Sequence, residues 1–365
     1  MQISLIEEAR RQADICNACR YCEGYCSVFP SLHRQRSLAD GDLIHLANLC
    51  HNCRGCYYAC QYTEPHEFAL NLPNALAEVR RDSWESFAWP GNFARLFQRS
   101  GMWVGAATVV GFALLFMAMS LLKNAAGGAG FYAELSHNVM VAIFLPAFLF
   151  PLLSIAFSLR NYWKSTTDGG TIKWADVRDA FGSAAKMKNL AGGHGEGCNF
   201  EDEDRYSHAR RLAHHAVMYG FLLCFASTSV ATIMHYGFDL KAPYPLLSLP
   251  KLLGLPGGVL LTGGAIWMLV LKYSADRELG AKQAWGGEIA FVTLLGFVAA
   301  SGLALFAATG TSLMPTILAL HLGAVLSFFL LTPYSKMAHG FYRLTALIAE
   351  ARIQRLQREK QASTL

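Results

Sequence analysis

Two patterns divide this chain. Over roughly its first hundred residues, apolar positions recur among charged ones, as in Met1 to Gln12, Leu43 to Leu49 and Leu70 to Val79. That spacing predicts short helices with one buried face. Beyond them the chain turns to long apolar runs that are nearly free of charge. A helix needs about 20 apolar residues to cross a bilayer. Six runs meet that length: Trp103–Leu122, Val139–Leu159, His214–Tyr236, Leu252–Tyr273, Ile289–Ala308 and Pro315–Pro333. Two separators are short, Thr309–Met314 and Gly237–Lys251. One is long, Arg160–Ala213, with a Gly-rich stretch from Gly192 to Gly197 and an acidic patch from Glu201 to Asp204. The expected fold is all-α. Residues 1–100 form a helical domain with an interfacial linker, and 101–342 a six-helix transmembrane bundle with a loop at 160–213. A basic amphipathic tail, solvated or interfacial, covers 343–365.

Charge placement orients this plan. Hydrophobic residues make up 53% of the 365 and charged residues only 16%, against about 25% charged in soluble domains. The shortfall lies almost wholly after residue 100. With six spans both termini share one side, and 28 of the 31 Lys and Arg fall there, leaving Lys123, Lys241 and Lys251 opposite. The positive-inside rule then places both termini in the cytoplasm, with the bundle in the inner membrane. The N-terminus reaches Glu7, Glu8, Arg10 and Arg11 before any apolar core forms, so it is not a secretory signal. No basic stripe with interleaved aromatics marks a nucleic-acid surface. Between the two regions, Trp84, Phe87, Trp89, Phe93 and Phe97 lie among arginines. Such a mixture suits either a membrane interface or ordinary packing between domains.

The chemistry is concentrated in cysteine. Eight of ten cysteines form a repeated C-x2-C-x2-C-x3-C run: Cys16, Cys19, Cys22 and Cys26, then Cys50, Cys53, Cys56 and Cys60, 34 residues later. Three closely spaced cysteines wrap a cubane, and in bacterial ferredoxins with this spacing the fourth ligates the other cluster. Two [4Fe–4S] clusters are therefore expected in a ferredoxin-like domain. Cys16, Cys19, Cys22 and Cys60 would hold one, and Cys50, Cys53, Cys56 and Cys26 the other. The ferredoxin run usually ends Cys-Pro, whereas Ser27 and Gln61 follow here. Structural zinc is the alternative, although its sites usually use two separated C-x2-C pairs. Arg20, Arg54 and His51 are either tuning residues or plain solvated ones. Cys224 reads as a small apolar residue.

Histidines supply a second candidate chemistry, because ionisable residues within a membrane mark function. His214 and His215 open the third span and His235 closes it; His321 lies early in the sixth, with His339 just past its end. At about 100° per residue, His321 and His339 share one face, and His214 returns to within about 60° of His235, whereas His215 lands nearly opposite. Two haems b follow as the expectation. His214 and His339 would ligate the inner one, and His235 and His321 the outer one, with His137 and His215 as competing ligands. Six-coordinate haem suits electron transfer, and no C-x-x-C-H motif attaches it covalently.

Taken with Gly192-Gly-His-Gly-Glu-Gly-Cys198 and the run from His214 through Cys224 to His235, the two cysteine runs make the chain resemble the tricarballylate-utilisation protein B family over nearly its whole length. The C-terminal part of a fused cobalamin-synthesis flavoprotein is similar. The resemblance implies an FAD-dependent tricarballylate dehydrogenase as partner and the quinone pool as electron acceptor. The protein would be an electron-transfer subunit without a catalytic residue of its own. The rival readings are a subunit serving another dehydrogenase or reductase, a redox-sensing membrane protein, and a transporter. Against the last, no paired broken helices or acidic relay occur; Asp239 and Glu288 sit at span edges. The 192–198 stretch either lines a surface facing the clusters or a partner, or forms a flexible loop.

Overall fold

Ser4 starts the first helix by a reciprocal cap: its hydroxyl accepts the Glu7 N–H, and the Glu7 carboxylate accepts the Ser4 N–H. The computed structural model describes residues 4–35, 37–122, 134–167, 169–192, 195–201 and 205–363. Lys123, His194 and the acidic stretch 202–204 lie outside the described residues. Helix α1 (Leu5–Cys19) runs through the first cysteine run rather than ending before it, so Cys16 and Cys19 sit one turn apart on its last turn. After it come α2 (Val28–His33), α3 (Asp40–Leu49), α4 (Gly55–Tyr58) and α5 (Leu72–Phe87). Asn71 caps α5 by accepting the Asn74 N–H. Their apolar faces meet in one core that includes Leu32, Leu43, Leu49 and Leu76.

Six helices are long and apolar enough to span a membrane, as expected of a multi-pass membrane protein. They are α6 (Asn92–Leu122), α7 (His137–Thr167), α9 (Ala209–Phe238), α10 (Leu249–Tyr273), α11 (Trp285–Ala307) and α12 (Met314–Leu331), with α8 (Trp174–Ala185) in the long separator. Among the described residues the fold is helical without a strand, save one isolated bridge between Cys198 and Ser207. Several helices overrun the apolar runs; α6 starts at Asn92 rather than Trp103, and α7 continues to Thr167. The bilayer limits where side chains are apolar, not where a helix stops. Non-helical angles at Ser100 break α6 where its polar lead-in meets its apolar length.

Small residues let the spans touch. A Cβ on Gly220 of α9 would lie 2.5 Å from the Leu261 backbone nitrogen of α10, and one on Gly323 of α12 would lie 2.8 Å from that of Ala113 in α6. Such close backbone approach is how membrane helices gain packing energy. Glu288 of α11 pairs with both Lys272 of α10 and Lys336, tying two spans to the segment that follows α12.

The last helix, α13 (Ala338–Ala362), corrects the expectation of a solvated or interfacial tail. Its face of Ala338, Tyr342 and Ala346 enters the core of the cysteine domain. Trp84 stacks on Tyr342 at 5.7 Å and donates its indole N–H to Asn48. Arg34 donates to Glu350, and Arg355 grips Asp176 of α8 at 2.8 and 3.0 Å. Burial alone would raise the Glu350 carboxyl, but the bonds from His45 and Arg34 outweigh it and hold it at about 2. Of the aromatics in the linker, Trp84, Phe87 and Phe97 are packing residues, while Trp89 and Phe93 stay exposed. The packing reading therefore holds for Trp84, Phe87 and Phe97.

Candidate metal centres

The cysteines gather in two crossed sets. Cys60 joins Cys16, Cys19 and Cys22 around a cavity of about 190 Å³. Cys26 joins Cys50, Cys53 and Cys56 around a smaller one of about 20 Å³. Arg20, Asn52 and Arg54 hold positive φ of 57°, 51° and 69°, conformations that non-glycine residues adopt at a cost and that bend the backbone around the sulfurs. The N–H of Asn52 donates to the Cys50 sulfur and that of Tyr62 to the Cys60 sulfur, both at 3.4 Å.

The donor chemistry calls for a positive centre. Burial, and after it the other thiols of the set, push Cys16 up to about 12 and Cys22 up to about 11; Cys26 and Cys56 are raised well above the ordinary range for the same reasons. Four such thiols cannot all ionise side by side unless a cationic core compensates them. Among the described residues no three His, Cys, Asp or Glu side chains close on a point that would hold one metal ion. The first set stands around a void, with Cys56 lining both cavities, and four thiols gathered in each set form a donor set that fits a polynuclear core.

The two sets differ in exposure. Cys19 is exposed, and beside it Tyr21 keeps 69% of its surface. The second set lies under the long separator. Gly192 and Gly197 take φ of 79° and 105°, and a Cβ on Gly197 would lie 2.2 Å from the Ser207 carbonyl. The chain thereby folds back, bridging Cys198 to Ser207 with two hydrogen bonds of 2.9 Å. The Asn199 N–H donates to the Cys53 carbonyl at 3.0 Å. A bond with the Cys198 thiol lowers Cys53 and raises Cys198. Of the two readings of this stretch, residues 195–201 follow the one that lines the cluster loop.

Three arginines that sequence reasoning passed over meet the same loop. Arg80 donates to the Cys50 carbonyl, as does Arg343, each at 2.7 Å. Arg210 donates to the carbonyls of His51 and Asn52 at 2.8 and 2.7 Å. A signal was present: Arg210 lies four residues before His214 and Arg343 four after His339, so each shares a helix face with a candidate ligand. The tuning residues named from sequence separate. Arg54 is buried and donates to the Phe200 carbonyl, and Phe200 is held between Arg54 and Arg210. Arg20 is exposed and bonds its own helix. His51 is half-buried, with its basicity pushed well down by burial and by Arg343.

The histidines meet as expected only at one end. The rings of His214 and His339 lie 5.8 Å apart. Two imidazoles on opposite sides of one metal, at about 2 Å from each nitrogen, have centres roughly 6 Å apart. His339 Nδ1 bonds the Lys336 carbonyl, leaving Nε2 free, and burial together with Arg343 keeps the ring neutral, as a ligand must be. His215 turns to Tyr219. At the far end, His235 stacks on His137 at 4.2 Å rather than on His321. The His321 ring is engaged with Ser301 at 3.0 Å and packs on Gly302. The physical reason is depth: His235 is three residues from the end of α9, whereas His321 is seven into α12, a mismatch of roughly 6 Å along the bilayer normal.

A ferredoxin-like nest of cysteines seated on six apolar spans defines a membrane iron–sulfur protein with an electron-transfer role. The chain belongs to the citrate utilization protein B family: residues 93–362 match its model, and residues 9–85 match the model of its Fer4-like domain. The citrate utilization protein B of Escherichia coli is 40% identical over 348 residues, covering 93% of this chain and 90% of that protein. No solved structure matches.

Proposed function

We propose that this protein carries electrons from the reduced flavin of a tricarballylate dehydrogenase to the membrane quinone pool. Two [4Fe–4S] clusters would be held by the two crossed cysteine sets and one haem b by His214 and His339. When bound, these groups take and release single electrons, which matches the two-electron oxidation of a flavin to the reduction of quinone to quinol. The observation that carries this reading is the order of the sites. An exposed set comes first and a covered set next; the loop of the covered set then takes hydrogen bonds from Arg210 and Arg343, each one helical turn from His214 or His339. The name of the Escherichia coli relative and the family resemblance both favour a tricarboxylate-linked donor. Charge placement favours a cytoplasmic cysteine domain on the inner membrane.

One haem replaces the expected two. Rings stacked at 4.2 Å, as His137 and His235 are, leave no gap for an iron. Anaerobically purified protein in mild detergent tests the whole reading. The reduced-minus-oxidised spectrum should show a b-type α-band, with about eight non-haem irons and one haem per chain. His214→Ala should remove the band and keep the non-haem iron, and His215→Ala should keep both. An absent α-band would discard the haem, and zinc in place of iron would discard the clusters.

A further inference from the structure

A buried charge is costly unless an opposite charge meets it. Beside the second cysteine set, three guanidiniums arrive from three separate elements: Arg80 from α5, Arg210 from α9 and Arg343 from α13. Between them they bond the carbonyls of Ala47, Cys50, His51 and Asn52. Those carbonyls are dipoles without net charge. The Nε atoms of Arg210 and Arg343 are buried and find no acceptor. Glu288, the carboxylate whose charge reaches Arg210 and Arg343, is already shared by Lys272 and Lys336. On the other side of the loop Arg54, itself buried, adds a further positive charge. The protein thus gathers an excess of buried and half-buried positive charge around one short segment, and that segment contains Cys50 and Cys53.

We propose that Arg80, Arg210 and Arg343 are the counter-charge of the second cluster and raise its reduction potential, so that an electron entering at the exposed first set moves inward. The proposal rests on the cluster assigned to Cys26, Cys50, Cys53 and Cys56. A four-thiolate cluster gains one negative charge on reduction. Burial opposes that gain, and nearby positive charge favours it. Left to burial alone, the covered cluster would be harder to reduce than the exposed one, and electrons would stay outside. The guanidiniums reverse that order. They act through the charge of the cluster and through main-chain carbonyls, so they are positioning residues and touch no substrate.

The test uses the full-length protein with Arg210→Gln, Arg343→Gln and the charge-keeping Arg343→Lys. Non-haem iron is assayed, and both cluster signals are followed by electron paramagnetic resonance during a redox titration. The expected result is unchanged iron, a lower midpoint for one cluster in each Gln variant, the other cluster unmoved, and Arg343→Lys close to the parent. Full iron with both midpoints unmoved would overturn the proposal and leave the clusters standing. Loss of about half the iron in both Gln variants and in Arg343→Lys would assign the arginines to building the loop, and would overturn it as well. A parent protein with only one cluster would remove the reading on which the proposal rests.

Discussion

A thiol pushed up to about 12, as Cys16 is, keeps its proton at any physiological pH. Only a cationic centre makes it a thiolate, so at the residue scale the cysteines are chemically incomplete by themselves. The crossed sets make a direct prediction. Cys16→Ala and Cys60→Ala should each cost about half the non-haem iron, and the double variant should lose no more than either. Cys16→Ala combined with Cys26→Ala should lose nearly all of it. An additive loss in the first pair would mean that each run serves its own cluster. The cysteines were legible because metal ligation imposes a short spacing that survives in one dimension. The arginines were legible only in part: the four-residue spacing ties Arg210 to His214 and Arg343 to His339, but Arg80, Arg210 and Arg343 are 130 and 133 residues apart in the chain, and only folding brings them to one carbonyl segment.

At the scale of elements, hydropathy located all six spans but misjudged their ends. A run of apolar residues reports the bilayer, whereas α6, α7 and α9 extend beyond it toward the cysteine domain. Contact between spans depends on glycines that carry no periodic signal. Gly220 has backbone atoms of α10 within 2.5 to 2.9 Å of where its Cβ would be. Gly220→Leu should therefore separate α9 from α10. Overpacking costs typically 1–3 kcal/mol and more where only backbone faces the new side chain. The expected outcome is a lower unfolding temperature in detergent. Gly263→Leu, at a position with open space around it, serves as control. Equal melting of the two variants would refute the close crossing.

Over the whole molecule, α13 joins the cysteine domain to the bundle. Glu350 is the centre of that joint, facing Arg34 and His45 from the domain. Removing one partner of a buried pair costs about 3–5 kcal/mol. Glu350→Gln should thus loosen the domain, seen as faster proteolysis at α13 and earlier loss of iron on heating. Unchanged proteolysis would make the joint incidental. The sign with pH follows from its lowered value: the carboxylate's contribution is complete above the ordinary 4.5 and fades as pH falls toward 2.

By itself the sequence determined the all-helical class, the six spans, the repeated cysteine runs and the pairing of His214 with His339. All of these rest on spacing along one helix or on composition over one window, quantities a linear chain carries intact. Tertiary structure alone decided that the tail is a packing element, that residues 195–201 cover the second set, that three distant arginines converge there, and that His235 meets His137 instead of His321. Those outcomes depend on the depth at which helices are docked and on which faces they bury, and neither has a local signature.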